Sequence, residues 1–227
     1  MTPIAHFRNW TRGLRSSLET DTLATEEARR KARRFMMWFD HEFVRIPWSN
    51  FAQVAPGVYR SNQPTRKRLE RYAAMGIKTV LFLRAPTKAP PYLQAQAYCE
   101  ELGLTLVARS LAARSAPSRD ILLSLIEVFP TLEKPFLMHC KSGADRASFA
   151  SAVWLLTQEG ASVDEARKML SPRFIHLKWT KTGILDYILD AYDLRNTRAP
   201  IGFADWVATE YDPDALQAGF DNKVPLA

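Results

Sequence analysis

Cys140 and Arg146 stand six residues apart in "PFLMHCKSGADRAS", residues 135–148. A sulfur nucleophile, a glycine and a guanidinium at this spacing suit attack on an anionic phosphoryl group. Gly143 lets the chain reverse sharply. Successive N–H groups can then turn inward to meet an anion, at the positive end of a helix. The planar fork of Arg146 matches two phosphate oxygens. Such a cradle favours the thiolate of Cys140 over the thiol, and a thiolate there is aimed at phosphorus. The competing reading is structural, with Cys140 a small buried hydrophobe at a strand end. Against it stands the polarity of the turn at 141–146, which packing alone does not require.

Such a loop needs a strand to deliver the cysteine and a helix to receive the arginine. "PFLMHC" reads as the strand and residues 146–159 as the helix. Upstream, "GVYRS" reads as a short strand after a Pro-Gly turn, and "PTRKRLERYAAMG" as a helix ended by Gly76. "IKTVLFLR" is a buried strand, "PPYLQAQAYCEELG" a helix closed by Gly103, and "LTLVAR" a further strand. A helix over 117–129 precedes the loop strand. Downstream, Ser162 and Glu165 have capping-box spacing, and "GILDYILDAYDLR" is the last clear helix. The alternation predicts an α/β fold, with a central mostly parallel sheet of four to five strands and helices on both faces. Ligands of such sheets bind beyond the carboxyl ends of the strands, where "KSGAD" falls.

At 227 residues the chain accommodates an α/β domain over 54–197, an N-terminal extension over 1–53 and a C-terminal extension over 198–227 packed on it. The net charge of +7 favours an anionic, phosphorylated partner. No stacking-aromatic motif accompanies the basic residues, so nucleic acid is not expected. Cys99 and Cys140 are the two cysteines, neither in a C-x-x-C pair. That speaks against structural zinc and for a reducing compartment; Cys99 reads as core. Without a long apolar run or an apolar leader, the expected location is the cytoplasm.

The first twenty residues read as polar and aperiodic, draped over the surface or mobile. Within "TEEARRKARRFMMWFDHEFVR", Ala28, Ala32, Phe35, Met36, Phe39 and Phe43 share one helix face, opposite Arg29, Arg30, Lys31, Arg33 and Arg34. Two readings stay open for this basic amphipathic helix: peripheral contact with an anionic membrane, or an apolar face packed on the domain. The tail reads as a short helix, a Pro turn, then a strand or loop, with Trp206 and Tyr211 as packing anchors.

"HCKSGADR" resembles the His-Cys-x5-Arg signature of the protein tyrosine phosphatase superfamily, with flanks like its compact dual-specificity branch. "GVYRSNQPTRKRLERYAAMGIKTVLFLR" is similar to the first strand, helix and second strand of bacterial members. The resemblance runs from about residue 54 to about residue 192. It implies the cysteine phosphatase fold and a phosphocysteine intermediate on Cys140. It also implies phosphate held by Arg146 and the amides of 142–146, no metal or cofactor, and a His139 that orders the loop.

Two departures matter. The family places Ser or Thr directly after the arginine, where a hydroxyl assists turnover; here that residue is Ala147, with Ser148 one place later and aimed elsewhere on the helix. The family also supplies an acidic Asp on a loop well before the cysteine. Here the acid in that region is Asp120, twenty residues before Cys140 and on the expected helix. Asp145 resembles the loop aspartate of myotubularin-like relatives and is a candidate acid or water-positioning group; the alternative is a helix N-terminal carboxylate stabilised by the dipole. Lys141 resembles the tensin-type lysine that helps bind a second phosphate. With Arg109, Arg114 and Arg119 it would form a basic rim; each also reads as a solvated charge. His176 either faces the site or is structural. The expected activity is therefore phosphomonoester hydrolysis on a phosphorylated lipid or other polyanion. A protein tyrosine or dual-specificity phosphatase and a low-turnover phosphate-binding module are the alternatives.

Overall fold

The computed structural model describes residues 3–226. Its centre is a five-stranded sheet in the order β1-β2-β5-β3-β4. The strands are β1 (Ala52–Ala55), β2 (Val58–Asn62), β3 (Thr79–Phe82), β4 (Thr105–Ala108) and β5 (Phe136–Cys140). All pairings are parallel except the β1–β2 hairpin, which the sequence pattern had not revealed. β5 lies in the middle, every residue buried, as expected of an uninterrupted apolar run between two parallel neighbours. Register puts Cys140 beside Asn62 of β2, and His139 beside Phe82 of β3. The carboxyl ends of three strands thus converge on one point.

Helices cover both faces. On one lie α4 (Arg66–Ala74) and α5 (Pro90–Glu101), whose Leu69, Tyr72 and Cys99 pack with Ile77, Val80 and Leu137. Burial pushes the Cys99 thiol up to about 12, so this cysteine is inert core. The other face carries the larger core, under α6 (Arg119–Val128), α7 (Arg146–Gln158), α8 (Val163–Arg167) and α9 (Ile184–Arg198). Ser162 and Glu165 form the anticipated capping box ahead of α8.

Three expectations at the ends of the chain are corrected. The first twenty residues are not aperiodic: Pro3–Leu18 forms helix α1, with the Arg15 guanidinium over the Phe35 ring at 5.6 Å. Ile4, Phe7, Leu14 and Leu18 recur at helical spacing within α1, a periodicity that the polar residues between them obscure. The long amphipathic helix stops early, at Trp38. It is α2 (Glu26–Trp38), followed after a left-handed His41 by the short α3 (Glu42–Arg45). Phe43, assigned to the apolar face, is 47% exposed. The tail contains two helices, α10 (Phe203–Thr209) and α11 (Pro213–Asp221), rather than a strand or loop. The Asp212 carboxylate accepts from the amides of Asp214 and Ala215, and Pro213 takes the first turn, which starts a helix where a turn was read. Trp206 and Tyr211 are the buried anchors expected, and the Tyr211 hydroxyl donates to the Pro117 carbonyl at 2.7 Å.

Ala28, Ala32, Phe35 and Met36 of α2 are buried, with α2 against α5. The packed-face reading therefore holds. No helix among the described residues is long and apolar enough to cross a membrane.

The break after α2 has an electrostatic cause. Asp40 is 3% exposed and pairs with Arg45 at 2.9 Å and with Arg84 through both carboxylate oxygens, at 2.9 and 2.7 Å. Burial opposes its ionisation, but the Arg84 hydrogen bonds and the surrounding cations hold it below the usual carboxylate range. Substituting Asp40→Asn strands two guanidiniums. The expected loss, measured by urea unfolding at neutral pH, is about 3–5 kcal/mol.

Candidate active site

β5 delivers Cys140, 1% exposed, to the floor of a loop that closes at Arg146, the first residue of α7. The Gly143 amide donates to Cys140 Sγ at 3.2 Å, so the turn aims this N–H at the sulfur. Gly143 has φ +74°, and a Cβ there would lie 2.8–2.9 Å from backbone atoms of Ser61 and Asn62. Glycine is required by conformation and by space. The Nε of Arg146 is buried without a protein partner, a donor suited to an anion. His139 is buried edge-on against Phe82, with Nδ1 3.3 Å from the Cys140 carbonyl. Burial drives its imidazole down to about 3, so it orders the strand end as a neutral ring.

Beneath the loop lies Arg60, fully buried on β2 and absent from the sequence-based site. Its Nη2 donates to the Gly143 carbonyl, and its Nη1 to Ser148 Oγ at 2.9 Å and to the Met169 carbonyl at 3.3 Å. Its carbon Cζ sits 3.8 Å from the centre of the Phe174 ring. Burial lowers the guanidinium to about 10, where it remains charged at neutral pH. Asn50 adds a second brace, donating through Nδ2 to the Ser142 carbonyl at 3.3 Å and the Phe174 carbonyl at 3.0 Å. Both Asp40 and Asn50 thus reach the loop from the segment before residue 54.

Lys141 leans out of the loop toward Asp40, Nζ to Oδ1 3.7 Å, and burial lowers its ammonium. Its charge is shared with a buried carboxylate. Of the three rim arginines, Arg109 donates to the Ser124 and Ala108 carbonyls and Arg119 to the Tyr211 carbonyl, all structural contacts. Arg114 is exposed and lines a cleft of about 310 Å³ with Asp145, Thr180 and Lys181. Asp120 is exposed in the first turn of α6. Ser148 Oγ donates to the Ala144 carbonyl at 2.5 Å while accepting from Arg60, so its hydroxyl proton is spent on the loop backbone.

Asp145 occupies the position before α7 but makes no side-chain cap. Its Oδ1 instead lies 2.9 Å from Nδ1 of His176, whose Nε2 lies 2.7 Å from Oδ2 of Asp186. Two carboxylates can only accept, so each ring nitrogen carries a proton. Burial opposes that charge, yet the hydrogen bonds to Asp145 and Asp186 outweigh it and raise His176 to about 9. The segment carrying His176 folds back through two short 3₁₀ turns, Pro172–Phe174 and Lys181–Gly183. At Gly183 a Cβ would fall 1.8 Å from the Lys178 carbonyl oxygen, so a side chain there would block the return. No local pattern distinguishes His176 in the sequence; its spacing of ten to Asp186 carries meaning only after this fold-back.

Residues 49–181, more than half of the chain, match the family described as DSP-PTPase phosphatase fused to NAD+ kinase. No curated protein matches the sequence. Among solved structures, TpbA of P. aeruginosa is similar at 19% identity, over 78% of this chain and 93% of that one, with a TM-score of 0.52. A putative phosphatase (DUF442) from Shewanella putrefaciens CN-32 is similar at 17% identity, over 63% and 90%, with a TM-score of 0.53. At these identities the likeness is one of fold.

Gly143→Ala should remain folded but lose roughly ten- to a hundredfold in kcat/KM, the equivalent of about 1–3 kcal/mol of backbone strain in the loop. The His176 ion pairs make a separate demand on stability. Because the folded value is raised above 6.5 to about 9, their contribution is complete below pH 6.5 and is lost as pH rises through about 9. Thermal melts across that window should show the decline in the wild type and a flatter profile in His176→Gln.

Proposed function

The chain belongs to the DSP-PTPase family of cysteine-dependent phosphatases, and on that premise we propose that it hydrolyses phosphomonoesters through a phosphocysteine on Cys140. One observation carries the reading: the Gly143 amide meets Cys140 Sγ at 3.2 Å inside a loop whose Arg146 Nε is buried and free of protein partners. Sulfur, inward N–H and guanidinium suit the equatorial oxygens of a phosphoryl group held for in-line attack. In the first step Cys140 sulfur bonds to phosphorus as the ester oxygen leaves with the bonding pair and takes a proton from solvent. In the second, water displaces the thiolate and inorganic phosphate departs. Ser142, Gly143, Ala144, Asp145 and Arg146 are the backbone cradle.

The substrate class favoured is a phosphomonoester with a second anionic group, such as a phospholipid headgroup or phosphorylated glycolipid. Its support is the cleft beside the loop, where exposed Arg114 and Lys181 flank Asp145, together with the net charge of +7. A second reading, a phosphate-binding protein with slow turnover, is favoured by Ala147 and by the Ser148 hydroxyl being turned onto Ala144.

Steady-state assay on a phosphotyrosine peptide, a phosphoinositide and a phosphorylated glycolipid, with Cys140→Ser as control, separates these readings. The polyanions should give the highest kcat/KM, and Cys140→Ser should abolish turnover on all three. Equal or better hydrolysis of the peptide would overturn the substrate class. A single burst without turnover would select the slow binder.

A further inference from the structure

His176 is 1% exposed, lies outside the Cys140–Arg146 loop, and spends both ring nitrogens on carboxylates. The two carboxylates come from separate elements, Asp145 before α7 and Asp186 in α9, so the buried ring ties the end of the loop to a distant helix. One of the pairs ends on Asp145, next to the phosphate-binding arginine. Asp145 also lines the open cleft with Arg114 and Lys181, so its carboxylate is held on one side and accessible on the other. The loop meanwhile lacks a hydroxyl after Arg146, and Ser148 is engaged with Ala144 and Arg60.

We propose that His176, clamped between Asp186 and Asp145, is a positioning residue that fixes the Asp145 carboxylate as the base for hydrolysis of the phosphocysteine. The inference rests on the phosphocysteine reading above. Water oxygen bonds to phosphorus as the phosphorus–sulfur bond breaks. Cys140 leaves as thiolate with the bonding pair, one water proton passes to Asp145, and inorganic phosphate is released. Asp145 then returns that proton to solvent through the cleft.

The double clamp suits this task better than a single ion pair. Asp186 takes the second ring nitrogen and holds the imidazole from the far side, so Asp145 keeps its orientation. From the other packed elements, Arg167 of α8 and Asp190 of α9 line the adjoining cavity with Lys178. Arg167 is itself paired with Asp164, Asp190 and Asp193, which leaves Asp145 and Asp186 as the charges in contact with the ring.

Rapid-quench kinetics of the full chain on an aryl phosphate tests the assignment. In His176→Gln the burst of one phenol per active site should persist, while steady-state turnover falls about 100-fold and phosphoryl-Cys140 accumulates in acid-quenched protein. Asp186→Asn, which leaves the imidazole in place, should show the same split at about tenfold. Inorganic phosphate should inhibit both variants competitively as it does the wild type, since the loop is intact. The inference is overturned if burst and turnover fall together, or if the phosphoryl group leaves Cys140 at the wild-type rate in the two variants. If His176→Gln does not fold, Asp186→Asn decides alone. A wild type that turns over without ever carrying a phosphoryl group on Cys140 would instead overturn the phosphocysteine reading, and the inference with it.

Discussion

The guanidinium of Arg60 is the constraint on which the site is built. It sits under the loop with no solvent contact, bonded to the Gly143 carbonyl, Ser148 and Met169 and stacked on Phe174. Burying a cation is expensive, and here burial lowers it to about 10 while the charges of Cys140 and Asp145 favour it. The return is geometric and electrostatic. With the Gly143 carbonyl held downward, the Gly143 amide points at sulfur, and a fixed positive charge lies beneath the loop. Few arrangements of neutral side chains would provide both.

Concentrated positive charge must be balanced, and the fold does so on two sides. Toward the N-terminal segment, buried Asp40 gathers Arg45, Arg84 and Lys141. Toward the segment after α8, Asp145 and Asp186 enclose His176. The first cluster ties the helices before the sheet to the site. The second puts a charged pair at the mouth of the cleft, where it can serve chemistry as well as stability. Asn50 joins both sides by bridging the loop to the Phe174 carbonyl.

Much of this was legible in the chain because its physics is local. The six-residue spacing of Cys140 and Arg146, the turn at Gly143, the all-apolar strand before them and the Ser162–Glu165 box involve neighbours in sequence. So do the helix stops at Gly76 and Gly103. Local signals also misled. Asp212-Pro213 reads as a turn, although the same pair caps and opens a helix. Phe43 continued a helical stripe that the buried Asp40 interrupts. The short β1 carries little pattern of its own and exists because β2 offers it an edge.

What the sequence by itself determined is the candidate centre: a cysteine, a polar turn at Gly143, an arginine and the α/β frame that presents them, all encoded within short windows. What tertiary structure alone decided is which distant side chains support that centre. Arg60 meets Gly143 across 83 residues, Asn50 meets Ser142 across 92, and His176 meets Asp145 across 31. An arginine in a strand, an asparagine in a turn and a histidine in an irregular segment are each unremarkable in isolation. Their roles follow from desolvation and ion pairing, which depend on what surrounds a group in space and leave no trace in its sequence neighbours.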